Sequence, residues 1–189
     1  MLDEHGEQAM RQCRRWVGKM RVGITGHQQL PDESAWSWVR QEMDGILGDL
    51  PGPLIGLTSL AVGADQLFAE AVLRHGGTFT AIIPFHDYEL KFSEWRDREE
   101  YNRLLRLAAQ VEVLSKPGSS REAYFQAGKQ VVNMAEVLLA VWDGQPAAGL
   151  GGTGDVVAYA RQCGKPIVHI NPITHTAISD DSFLELARG

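Results

Sequence analysis

From residue 20 to residue 172 the chain repeats one pattern: a short apolar run, a turn, then a segment with apolar residues at helical spacing. Met20 to Thr25 reads as a strand, and Pro31-Asp32-Glu33 opens a helix carrying Trp36, Val39, Met43, Ile46 and Leu47 on one face. Pro51-Gly52-Pro53 breaks that helix. Leu54 to Thr58 is a second strand, and Ala64 to His75 a second helix closed by Gly76-Gly77. Thr78 to Ile83 is a third strand, ended by Pro84; the charged segment Ser93 to Ala109 has a helical stripe of Leu104, Leu105 and Leu107. Strands are then predicted over Val111–Leu114, Val137–Trp142 and Pro166–Ile170, helices over Arg121–Met134, Asp155–Cys163 and Asp181–Arg188. Strands joined by single helices need crossover connections, which make a parallel sheet covered on both faces. The expected fold is α/β: a doubly wound, mostly parallel sheet of six or seven strands, Rossmann-like in topology, with helices on both faces.

At 189 residues, with 44% hydrophobic and 22% charged residues, the chain fits a single folded domain, residues 20–189, after an N-terminal extension, residues 1–19. A net charge of −6 argues against a nucleic-acid-binding surface, which leans on surplus Lys and Arg. The cluster Arg11, Arg14, Arg15, Lys19 and Arg21 reads as a solvated helix face. Cys13 and Cys163 stand far apart and read as free thiols of a reducing, cytoplasmic environment. The first 19 residues are too polar for a secretory signal, and no apolar run approaches the ~20 residues that span a bilayer, so no membrane association is expected. The six histidines lack the spacing of a metal site, and no metal or resident cofactor is expected.

Sheets of this kind bind ligands at the carboxyl ends of their strands, where strand order reverses. The loops that would lie there are distinctive. Gly26 and His27 follow the first strand. After the second, Ser59-Leu60-Ala61-Val62-Gly63-Ala64-Asp65 is a small-residue turn entering a helix. Ser59 and the amides near Gly63 and Ala64 suit a phosphate; Asp65 suits a ribose hydroxyl or, equally, the first turn of its own helix. After the third strand, Phe85 and Tyr88 offer rings for a base or for core packing. After the fifth, Asp143 and Gly144 lead to Gly151-Gly152-Thr153 and Asp155. Glycines there permit close approach to a ligand, and the opening amides of a helix attract an anion, so the turn reads as a phosphate cradle. Asp155 would orient a ribose or cap the helix. The glycines fit neither the GxGxxG dinucleotide pattern nor a P-loop, which excludes an ordinary dehydrogenase or NTPase.

Taken in order, Gly23-Ile24-Thr25-Gly26-His27, Ser59-Leu60-Ala61-Val62-Gly63-Ala64-Asp65, Ile83-Pro84-Phe85, Val141-Trp142-Asp143-Gly144 and Gly151-Gly152-Thr153 resemble the SLOG superfamily. That group is related to the DprA/Smf proteins, the LOG-type nucleoside-monophosphate phosphoribohydrolases and the YpsA-like proteins. The resemblance implies a site for a nucleotide or nucleotide-derived ligand such as an ADP-ribose-type molecule, and a homodimer, as in relatives. In the LOG-type signature Gly-Gly-x-Gly-Thr-x-x-Glu the glutamate is catalytic, and an Arg-Lys pair precedes the strand. Here Ala158 stands at the glutamate position, and Ala127 and Gly128 at the Arg-Lys positions. An alanine neither moves a proton nor stabilises an oxocarbenium-like centre. Binding or sensing of a small-molecule nucleotide ligand, without LOG-type hydrolysis, is the leading expectation. The alternative is a nucleotide N-glycosidase or hydrolase whose carboxylate is Asp143 or Asp155, acting on nucleoside monophosphates or ADP-ribose-like metabolites.

Overall fold

A computed structural model of the chain describes residues 18–115, 118–146 and 149–188. Seven strands, β1 (Met20–Gly26), β2 (Leu54–Thr58), β3 (Thr78–Ile83), β4 (Gln110–Val113), β5 (Val137–Val141), β6 (Ile167–Asn171) and β7 (Thr176–Ser179), form one sheet in the order β4-β3-β2-β1-β5-β6-β7. All neighbours run parallel except β6 and β7. Among the described residues six α-helices accompany them: α1 (Ala35–Asp49), α2 (Ala64–Arg74), α3 (Trp95–Leu107), α4 (Ser120–Met134), α5 (Thr153–Gln162) and α6 (Asp181–Arg188). The expected doubly wound α/β architecture is the one observed. The N-terminal extension, with Cys13 and most of the basic cluster, lies outside the described residues except for its last two.

β5 shows why the sheet is covered on both sides. All five of its residues are buried, and they alternate. Val137, Leu139 and Val141 join the layer made by Val39, Met43 and Leu47 of α1 and Phe68 and Val72 of α2. Leu138 and Ala140 join Val131 and Val132 of α4 and Val156, Val157 and Ala160 of α5. Burying such side chains on both faces is worth about 1.5–3 kcal/mol each, which explains a strand with no polar residue at all. Local signals set the helix ends. The Ser119 hydroxyl accepts from the Glu122 amide while Glu122 accepts from the Ser119 amide, a capping box that starts α4. Leu50, extended before Pro51, stops α1.

Two elements escaped the sequence pattern. β7 is an antiparallel edge strand with Ile178 63% exposed, and a 3₁₀ turn at Tyr88–Lys91 follows β3. Trp36 and Trp38 are half-buried against the core, with Trp38 stacked on His175; Trp95 stands exposed.

Candidate functional site

Strand order reverses at β1, which has β2 on one side and β5 on the other. The chain leaves the carboxyl ends of β1 and β5 in different directions, and a cleft of ≈ 520 Å³ opens between them. Of the residues singled out from sequence, Gly26, His27, Ser59, Asp65, Tyr88, Asp143, Gly151, Gly152 and Thr153 line it. Gly63, Ala64, Phe85, Gly144 and Asp155 do not.

Each of the five has a structural task instead. Gly63 has φ +83, and a Cβ there would sit 2.6 Å from the carbonyl oxygens of both His27 and Gln28, so only glycine lets α2 start against that backbone. The Ala64 amide is taken by the His27 carbonyl at 3.1 Å and is not available to a phosphate. Phe85 is buried among Tyr88 and Tyr124 as core packing. Gly144, with φ +86, turns the chain at an exposed position. Asp155 reaches back to accept from the Gly151 amide at 2.9 Å, a cap for the turn that opens α5.

Asp65 is neither a simple cap nor an exposed ribose ligand. Its Oδ2 accepts from the Ser59 amide at 2.9 Å and the Thr58 hydroxyl at 3.1 Å, which ties the β2–α2 loop to the first turn of α2. Burial raises its carboxyl to about 6 against the opposing effect of those hydrogen bonds. Tyr88, buried beside it, is held protonated well above the usual phenol range, again by burial first.

The floor of the cleft is the root of the β5–α5 loop. Three side chains hold it, one from just past β1 and two from β6. The Asp143 amide donates to His27 Nε2 at 3.2 Å, His169 Nε2 donates to the Trp142 carbonyl at 2.8 Å, and Asn171 reaches the Asp143 carbonyl at 3.4 Å. Asp143 Oδ1 accepts from the Gln145 amide at 3.0 Å. Beyond this root the glycine turn lies on α4. Gly151 has φ +88, and a Cβ there would come within 2.6 Å of the Arg121 carbonyl, so its glycine is required by the protein's own packing. Past it, among the described residues, the amides of Thr153 and Gly154 at the start of α5 have no protein acceptor, and both residues line the cleft.

Sequence reasoning missed Tyr124, Gln145 and Trp142 as lining residues, while Gln28, which follows His27 in the first loop, does line the cleft. The Ala127 and Gly128 positions do face the cleft, whereas Ala158 is exposed on α5 and lies off it. A Cβ on Gly128 would lie 2.5 Å from Val156 Cγ2, so α4 and α5 touch where a larger side chain would have to fit. Among the described lining residues there is no Lys or Arg. No group of three or more His, Cys, Asp or Glu among the described residues is placed to hold a metal.

Fold and cleft together define a Rossmann-like α/β protein with a cleft at the switch point. Solved structures share this fold with the chain at low sequence identity. DNA processing protein A from Streptococcus pneumoniae superimposes with a TM-score of 0.56 at 15% identity, covering 90% of this chain and 55% of that one. The chain thus spans about half the length of that relative. The molybdenum cofactor binding protein from the phototrophic bacterium Rippkaea orientalis matches at 0.52 and 16% identity, covering 91% and 97%. DNA processing protein A from Helicobacter pylori, described for its single-stranded DNA binding mode, matches at 0.53 and 14%, covering 89% and 72%. No protein-family model matches the chain, and no curated protein matches its sequence.

The DNA processing proteins correct the expectation against nucleic acid, because this fold includes a binder of single-stranded DNA. Net charge was the wrong guide. It sums the whole chain, whereas single strands are held by local grooves and aromatic stacking. Several surface acids here are also paired with arginines, as Glu70 with Arg40 and Arg103, and Asp44 with Arg74. No described helix is long and apolar enough to cross a membrane.

Proposed function

We propose that the cleft between β1 and β5 binds a nucleotide or nucleotide-derived ligand, with a phosphate on the opening turn of α5. The observation that carries this is that Thr153 and Gly154 line the cleft at the switch point and that, among the described residues, their amides at the start of α5 have no acceptor. A helix start of this kind favours an anion by its aligned amides and dipole. The Thr153 and Ser59 hydroxyls add donors, and Tyr88, Tyr124 and Trp142 supply apolar and aromatic surface for a base. The role is binding rather than LOG-type hydrolysis. Ala127 and Gly128 leave the cleft without the paired cations, and Ala158 brings no carboxylate to it. Asp143 and Asp155, the remaining carboxylate candidates, each accept a backbone amide of their own turn, Gln145 and Gly151.

A thermal-shift screen tests this, with nucleoside monophosphates and diphosphates, ADP-ribose, cyclic nucleotides and a single-stranded oligonucleotide, followed by mass spectrometry of each mixture. A ligand at 100 times its dissociation constant adds about 2.7 kcal/mol of stability. Stabilisation with the ligand intact supports a binding protein, and Gly152→Asp, which sets a carboxylate at the cradle, should abolish it. Turnover of the ligand would contradict the reading, as would an undiminished response in Gly152→Asp.

A further inference from the structure

We infer that His27 is a permanent hydrogen-bond donor in the cleft, presenting Nδ1–H to an anionic oxygen of the ligand, and that Asp143 enforces that state. The inference rests on the ligand-binding reading above. The Asp143 amide donates to His27 Nε2, so in the neutral ring Nε2 carries the lone pair and the proton sits on Nδ1. Asp143 Oδ1 lies 3.3 Å from the same Nε2. A second proton taken up by the ring goes to Nε2; the Asp143 amide then loses that acceptor, Oδ1 accepts from Nε2–H in its place, and Nδ1 keeps its own proton. Either charge state leaves Nδ1–H a donor. Among the described residues Nδ1 has no protein acceptor, while the ring lines the cleft and its side chain is 28% exposed.

Two things follow. His27 never offers a lone pair to the cleft, so it is a binding residue and not a general base. In a cleft with no described Lys or Arg, it also provides from the β1 side an N–H that complements the Thr153 and Gly154 amides on the β5 side.

Two substitutions separate the nitrogens. His27→Asn sets an amide NH₂ in the place of Nδ1 and abandons Asp143. His27→Gln sets an amide oxygen in the place of Nε2, where it accepts from the Asp143 amide, and loses the Nδ1 donor. With AMP as the probe in titration calorimetry, His27→Gln should weaken binding about 10- to 100-fold, the loss of a hydrogen bond to a charged group, and His27→Asn by about threefold or less. Equal losses, the reverse order, or no loss in either variant overturns the inference and leaves His27 a latch for Asp143. Long-range proton–nitrogen NMR of histidine-labelled wild type, without ligand, should find the neutral ring protonated at Nδ1; protonation at Nε2 overturns it independently. If wild type binds neither AMP nor inorganic phosphate, the donor has no anionic acceptor, and the failure belongs to the ligand-binding reading as well. If wild type binds and only the variants behave otherwise, the failure is confined to His27.

Discussion

Replacing Gly26 with alanine adds one methyl group where β1, β5 and the start of α2 meet. The new Cβ would lie 2.4 Å from the Ala64 Cβ, 2.9 Å from the Val141 Cβ and 3.0 Å from the Val141 carbonyl oxygen. None of these is the free end of a flexible side chain, so relief requires a strand or helix to move. Overpacking costs about 1–3 kcal/mol, and fixed neighbours on two sides put this case at the upper end, about 2–3 kcal/mol. In a domain of this size that lowers Tm by about 5–10 °C. Gly45→Ala adds the same atoms inside α1, at an exposed position with nothing within 4 Å of the new Cβ. There alanine is favoured by about 0.5–1 kcal/mol, and Tm should rise by about 1–4 °C. Scanning calorimetry of both variants beside wild type reads the contrast. A Gly26→Ala protein as stable as wild type would refute the close packing on which the position of the cleft depends.

Burial holds the Asp65 carboxyl at about 6 in the folded chain, against an ordinary value of 3.8. The folded protein keeps this proton where the unfolded chain has lost it. The resulting stability, about 2–3 kcal/mol, is fully present below pH ~4 and is lost as pH rises through ~6. Asp65→Asn should flatten that part of the stability–pH curve in urea denaturation from pH 4 to 8; parallel curves for the two proteins would contradict the assignment. Ser119→Ala removes the acceptor of the capping box at α4 and should cost about 1 kcal/mol, seen as a Tm lower by about 2–4 °C.

The fold was legible because its strands are buried on both faces. Val137 to Val141 and Val22 to Thr25 are apolar or small throughout, and the glycine and proline punctuation marks the turns between them. β7 was not legible, since Thr176–Ser179 is short, exposed and held by pairing with β6 rather than by an apolar pattern. At the site, the sequence locates the loops but not the partners of their atoms. Asp155, Asp65 and Ala64 sit in the expected turns, yet each is occupied by the protein's own backbone, a fact set by distances between segments far apart in the chain. The apparent surplus of glycine has the same source: Gly63 and Gly151 are required by contacts with His27, Gln28 and Arg121 as well as by their backbone angles. Tyr124, Ala127 and Gly128 reach the cleft because α4 packs across β1, where a Cβ on Gly23 would meet Val131 Cγ1 at 2.8 Å. The small residues Ala123, Ala127 and Gly128 along one helix were the available sign of that close approach.

The most direct measurement is a titration of nitrogen-labelled protein with AMP or ADP-ribose, followed through the backbone amide resonances. The account predicts saturable shifts centred on Thr153 and Gly154, extending to Gly26, His27 and Asp143 at the other edge of the cleft. Saturable binding that leaves these amides unmoved, with shifts elsewhere on the surface, would contradict it.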